Sequence, residues 1–107
     1  MKRVLLDHCV PRTVRQALAS CEVKTTHEMG WSELKNGELL RVAEPERFDV
    51  LVTADKNLRH QQNLVKIHLA IVSLPTNTLQ LLLPFFPAIA VAVNRAAPGS
   101  FEEILAG

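Results

Sequence analysis

Tyrosine is absent from the chain, and aromatic residues of all kinds make up only 5% of its 107 positions. Recognition of single-stranded bases by serial stacking needs such rings, so that mode is poorly supplied. Cysteine is nearly as scarce. Cys9 and Cys21 are too few for a disulfide scaffold, and their spacing is not that of a zinc site. The four histidines, His8, His27, His60 and His68, are dispersed, and no ligand spacing joins them to Cys9. Excess charge of one sign is also missing. A net charge of +1 argues against a globally basic clamp for nucleic acid, so any such contact must come from a local patch. No nucleophile elbow, phosphate-binding Gly loop or dinucleotide Gly motif occurs.

Long apolar runs are missing in the sense that matters for a bilayer. Between Lys66 and Arg95 there is no Asp, Glu, Lys or Arg, and Leu79 to Val93 is apolar apart from Gln80 and the prolines. A membrane span needs about 20 residues, and Pro84 and Pro87 interrupt this stretch, so no membrane crossing is expected. It reads better as a buried helix, or as a helix that covers a partner. Lys2 and Arg3 are followed by only three apolar residues before Asp7, which is not a signal peptide, and the expectation is a cytoplasmic, reduced protein.

What is present is an ordinary globular composition, 48% hydrophobic and 21% charged. The length suits one domain over residues 1–107. Arg3 to Leu6 reads as a first strand, short and apolar enough to be central. Pro11 suits the first position of a helix, and Val10, Val14, Ala17 and Leu18 follow at helical spacing. A second strand is expected over Glu22 to Thr26. Asn36 suits an N-cap, with a helix through Glu38, Leu39, Leu40 and Ala43 to about Pro45. Val50 to Thr53 is a continuous apolar run of the kind buried on both faces in parallel sheets. A short helix is expected within Leu58–Lys66, a fourth strand at Ile67–Leu74, a long apolar helix from Leu79 to about Ala96, and a last short strand or tail at Phe101–Leu105. This alternation predicts an α/β fold with a mainly parallel sheet and right-handed crossovers.

Two of those strands run straight into an acid. Val4-Leu5-Leu6 ends at Asp7, and Val50-Leu51-Val52-Thr53 is followed by Ala54-Asp55. Ligands of open α/β sheets sit outside the carboxyl ends of the strands, so two acids there form a candidate cation or phosphodiester site. Asp7 lies three residues ahead of Val10, the position that would cap a helix starting at Pro11, which weakens a capping role. Asp55 has a structural alternative in an Asx-turn or a cap. Thr53 is either a strand-favouring residue or a hydroxyl that orients a water or a carboxylate. Glu38, in a first helical turn, is explained equally by the helix dipole. Asn36 and Asn57 are neutral oxygen donors suited to supporting roles, or to capping and turns. Three carboxylates around one crevice suit Mg²⁺ or Mn²⁺, which takes oxygen ligands and bridges to phosphate. Arg12, Arg15, Lys56 and Arg59 are either phosphate contacts at the crevice or solvated charges.

Val4-Leu5-Leu6-Asp7 with Val10-Pro11-Arg12, then Asn36-Gly37-Glu38-Leu39-Leu40, then Leu51-Val52-Thr53-Ala54-Asp55-Lys56-Asn57-Leu58, resembles the PIN-like domain family. The likeness is greatest to its short bacterial members of unassigned function, and it covers residues 3 to about 75. It implies a three-layer α/β/α sandwich and a Mg²⁺- or Mn²⁺-dependent ribonuclease of the kind found as the toxin of toxin–antitoxin pairs. The implied partners are RNA, a small antitoxin-like protein and a second copy of the chain. Asp7, Glu38 and Asp55 take the catalytic, metal-holding positions, with Thr53 as the supporting hydroxyl. Asn36 and Asn57 stand where relatives often carry Asp. That exchange removes up to two negative charges from the site, lowers the expected metal affinity and makes a two-metal arrangement doubtful. The alternative is a PIN fold that has lost catalysis and binds through self-association or a protein partner.

Overall fold

Three central strands share one register, and it fixes which side chains meet. The computed structural model describes residues 1–34, 36–55 and 68–105, with the backbone alone for Asn36. Strands β1 (Arg3–Leu6), β2 (Glu22–Thr25), β3 (Val50–Thr53), β4 (Ala70–Ser73) and β5 (Phe101–Glu103) form one sheet in the order β2-β1-β3-β4-β5. Every pairing is parallel. Leu5 lies opposite Leu51, and Leu51 opposite Ile71. The expected apolar run of β3 is explained by position: it is flanked by strands on both sides, and all four of its residues are buried.

Because alternate strand residues face opposite ways, the sheet feeds two separate cores. Val4, Leu6, Val52 and Val72 pack with Val14, Leu18, Leu82, Ile89 and Val93 on one side. Leu5, Leu51 and Ile71 pack with Leu39, Leu40, Ala43 and Phe48 on the other. The second set belongs to helix α1 (Asn36–Ala43), which presents Leu39, Leu40 and Ala43 at the spacing of a single helical stripe.

The connections differ from expectation in instructive ways. The segment after β1 is a 3₁₀ helix over Arg12–Leu18, and Pro11 sits just outside it with ψ 136°. Tight bonds from Val10 N–H to Asp7 O (2.9 Å) and from Val14 N–H to Pro11 O (3.0 Å) set that turn. The long apolar helix is divided. Helix α2 (Leu79–Leu82) passes through a 3₁₀ turn, Leu83–Phe85, into α3 (Phe86–Arg95). Pro84 and Pro87 lack the N–H groups that a continuous α-ladder requires. The fourth strand is limited to Ala70–Ser73. Position 67 and the helix expected within Leu58–Lys66 lie outside the described residues. The last segment is a true strand: Ile71 N–H bonds Ser100 O and Ile104 N–H bonds Ser73 O, each at 2.8 Å. No helix among the described residues is long and apolar enough to cross a membrane.

Candidate functional site

The strand order determines where a site can form. From β1 the chain crosses to β2 on one side, and it returns to β3 on the other side of β1. From β3 it goes on to β4, away from β1, so the connections leaving the carboxyl ends of β1 and β3 run in opposite directions, and this switch point is the usual location of a ligand crevice. Asp7 follows β1 directly and Thr53 ends β3.

Both side chains lie in the row begun by Leu5 and Leu51, one step further along each strand. Polar residues occupy this last row across the sheet. Asp7 is 4% exposed, Thr53 0%, and Ser73, opposite Thr53, 2%. The Thr53 hydroxyl donates to Asp7 Oδ2 at 2.7 Å and accepts the Asp55 backbone N–H at 3.0 Å. One hydroxyl thus connects the Asp7 carboxylate to the backbone of Asp55.

The Asp7 carboxylate is crowded with further donors. Its Oδ1 accepts the His8 backbone N–H at 2.8 Å and lies 3.0 Å from His8 Nδ1. Its Oδ2 also accepts the Cys9 thiol at 3.7 Å. Burial pushes the Cys9 thiol up, and the Asp7 charge adds to that; hydrogen bonds involving Ala54 and Thr53 offset part of it. Cys9 is therefore a protonated donor to Asp7 and not a thiolate competing with it. A carboxylate so buried needs such partners to keep its charge.

A cleft of about 410 Å³ opens beside Asp7. Its walls include His8 and Arg12 from the β1 side and Thr25, His27 and Ser32 from the β2 side. Arg12 is exposed at the start of the 3₁₀ helix. His27 and Ser32 belong to the loop after β2, and their Nδ1 and Oγ atoms lie 3.5 Å apart. That loop is pinned by a reciprocal pair: Thr25 N–H donates to Glu28 Oε1 (2.9 Å), and Glu28 N–H donates to Thr25 Oγ1 (3.0 Å). This is the capping-box arrangement.

Of the residues expected from sequence, Asp7 and Thr53 are in direct contact, and Asp55 joins them through its backbone N–H on the Thr53 hydroxyl. Glu38 is exposed in the first turn of α1, the helix packed on the same sheet face as Leu5 and Leu51. Among the described residues no group of three or more His, Cys, Asp and Glu side chains is gathered as a set able to hold a metal. The Asn36 side chain, Lys56, Asn57 and Arg59 lie outside the described residues. Sequence reasoning missed His8, His27 and Ser32 as parts of the site. His8 had a usable signal, since it directly follows the strand-ending acid; His27 and Ser32 had none, because their loop shows no regular pattern.

The donor set still suits a hard cation in one respect: Asp7, Asp55 and Thr53 all offer oxygen. Mg²⁺ needs only one or two protein carboxylates if water and a substrate phosphate complete its shell. The His8 side chain that contacts Asp7 Oδ1 is 43% exposed, so that side of the carboxylate faces the solvent rather than the core. No protein-family model, curated protein or solved structure matches the chain.

Proposed function

We propose that this protein is a Mg²⁺- or Mn²⁺-dependent ribonuclease of the PIN-like type, with a three-layer α/β/α sandwich as its fold. One observation carries the reading: Asp7 is buried at the β1/β3 switch point and joined through Thr53 to the segment bearing Asp55. The two cores on opposite sheet faces support the layered fold. Asp7 and Asp55 would hold the cation, with Glu38 of α1 as the third carboxylate of the set. Once bound, such an ion polarises a phosphodiester and lowers the pKa of an attacking water. The chain's own residues set up that chemistry. Thr53 fixes the Asp7 carboxylate, its bond to the Asp55 amide sets the path of the chain after β3, and burial keeps bulk water from Asp7. The partner in the cell would be a small antitoxin-like protein, as for toxin-type relatives of this class.

The test is RNA cleavage with Mn²⁺ by the wild type and by Asp7→Asn. Loss of cleavage in the variant is expected; equal activity in both, or none in either, sinks the proposal. Calorimetric titration with Mn²⁺ near neutral pH adds an independent check, because a site that binds no metal cannot work this way.

A second reading is favoured by a different observation. Leu81, Leu83 and Val91 are 59%, 50% and 55% exposed on the charge-free segment. These exposed apolar side chains come from one stretch of chain without a charged residue, the composition expected of a surface that a partner covers. In this reading the fold is a binding module that works as a homodimer or with a protein partner. Light scattering at micromolar concentration distinguishes it: a strict monomer removes the homodimer.

A further inference from the structure

We infer that Arg12, His27 and Ser32 form a phosphate-binding subsite on the wall of the cleft beside Asp7. The subsite rests on the nuclease reading in one respect only: the phosphate it holds is the neighbour of the one cleaved. The cleft lies at strand carboxyl ends next to the switch point, and its volume of about 410 Å³ falls within the range of small-ligand sites. Its walls supply three different donors suited to a phosphate. Arg12 offers a guanidinium fork. Ser32 offers a hydroxyl and His27 a ring nitrogen, already placed side by side.

Two of the neighbouring acids, Glu28 and Asp7, are engaged by donors of their own, and the third, Glu33 beside Ser32, is exposed to solvent. Glu28 pairs with Arg15 and with the Thr25 amide, and those contacts, the Thr25 amide first, hold its carboxyl below the ordinary glutamate range. Asp7 faces four donors of its own, so it repels an adjacent anion less than a bare carboxylate would. Among the described residues Arg12 has no carboxylate partner. The guanidinium is therefore available to a ligand.

The wall carrying His27 and Ser32 is preorganised. Trp31 N–H bonds Thr26 O at 2.8 Å, and the Trp31 ring meets Phe48 edge-on at 6.2 Å. Gly30 takes φ +77°, a left-handed turn that glycine adopts without strain. A fixed wall spends little entropy on binding. Among the described residues no Phe or Trp lines the cleft, so the contacts fall on the nucleic-acid backbone and carry little base preference.

The experiment is fluorescence anisotropy with a labelled single-stranded oligouridylate in EDTA, where metal-dependent cleavage cannot occur. Wild type, Arg12→Gln, His27→Gln and the double variant are compared, with inorganic phosphate as competitor. Each single change is expected to weaken binding about three- to tenfold, and the double variant more. Arg12→Gln should also lower the slope of log affinity against log salt by about one. Arg12 and His27 are both exposed, so melting temperatures should stay within error of the wild type. Unchanged affinity and salt slope in the variants, or no binding by the wild type, overturns the subsite. Cleavage with Mn²⁺ is scored separately. Wild type that binds through these residues and never cleaves sinks the nuclease reading and leaves the subsite standing. Cleavage with an unchanged KM in Arg12→Gln overturns the subsite and leaves the nuclease.

Discussion

The Thr53 hydroxyl donates to Asp7 Oδ2 at 2.7 Å, between residues 46 apart in the chain and both buried. The same oxygen accepts the Asp55 amide. Thr53→Val keeps the shape and removes both bonds, leaving Asp7 Oδ2 with only the weak Cys9 donor and the Asp55 N–H without its acceptor. A loss of about 1–3 kcal/mol is expected from urea denaturation. Thr53→Ser keeps the hydroxyl and should recover most of it. A valine variant as stable as the wild type would show that this bond does not hold the strand ends together.

Glu38 separates a chemical role from a structural one. It is exposed, so Glu38→Gln should leave the melting temperature nearly unchanged. As a donor to the proposed cation it should still cut Mn²⁺-dependent RNA cleavage by about 10–100-fold. Full activity in this variant would remove Glu38 from the site while leaving Asp7 and Asp55 in place.

Lys2 closes the far end of α3. Its Nζ donates to Val93 O at 3.0 Å, which also accepts the Ala96 N–H, and to the carbonyl of the cap residue Ala96 at 2.7 Å. A cation there also meets the negative end of the helix dipole. Lys2→Met should keep the aliphatic stem and cost about 0.5–2 kcal/mol. Chemical denaturation with an unchanged m-value would check it; no loss would mean that water replaces the ammonium without penalty.

Glu28 gives a pH signature. Its carboxyl is held below the ordinary glutamate range, first by the Thr25 amide and then by Arg15. A depressed folded-state pKa favours folding above the unfolded value, and that stability is lost as pH falls through the folded one. The difference in melting temperature between the wild type and Glu28→Gln should therefore be full at pH 7. It should close on acidification below the ordinary glutamate range. A gap that stays constant down to pH 3 would mean that Glu28 acts through packing alone.

Much of the scaffold was legible in the sequence because each strand carried its own signal. Arg3–Leu6 and Val50–Thr53 read correctly from short apolar runs, and both stop at polar residues that sheet formation then buries. Helix α1 was legible from Asn36 and the Leu39, Leu40, Ala43 stripe. The stretch from Leu79 to about Ala96 was legible in extent and not in continuity, because Pro84 and Pro87 divide it into two helices joined by a 3₁₀ turn. The 3₁₀ geometry of Arg12–Leu18 was not legible either, since Val14 and Leu18 are buried at a spacing that an α-helix shares.

The sequence by itself determined that two acids would stand at the ends of two buried strands. It also determined that charge and aromatic stacking would be too sparse for a clamp. Which strands are neighbours was decided only in three dimensions, because strand order depends on crossovers between segments that carry no signal for each other. That order put Asp7 next to Thr53, made Thr53 the link to Asp55, and left Glu38 exposed on a separate helix. It also set His27 and Ser32 on the same cleft as Arg12. Local pattern can place a carboxylate at the edge of a sheet. Only the packed sheet decides which hydroxyl, imidazole and guanidinium share that edge.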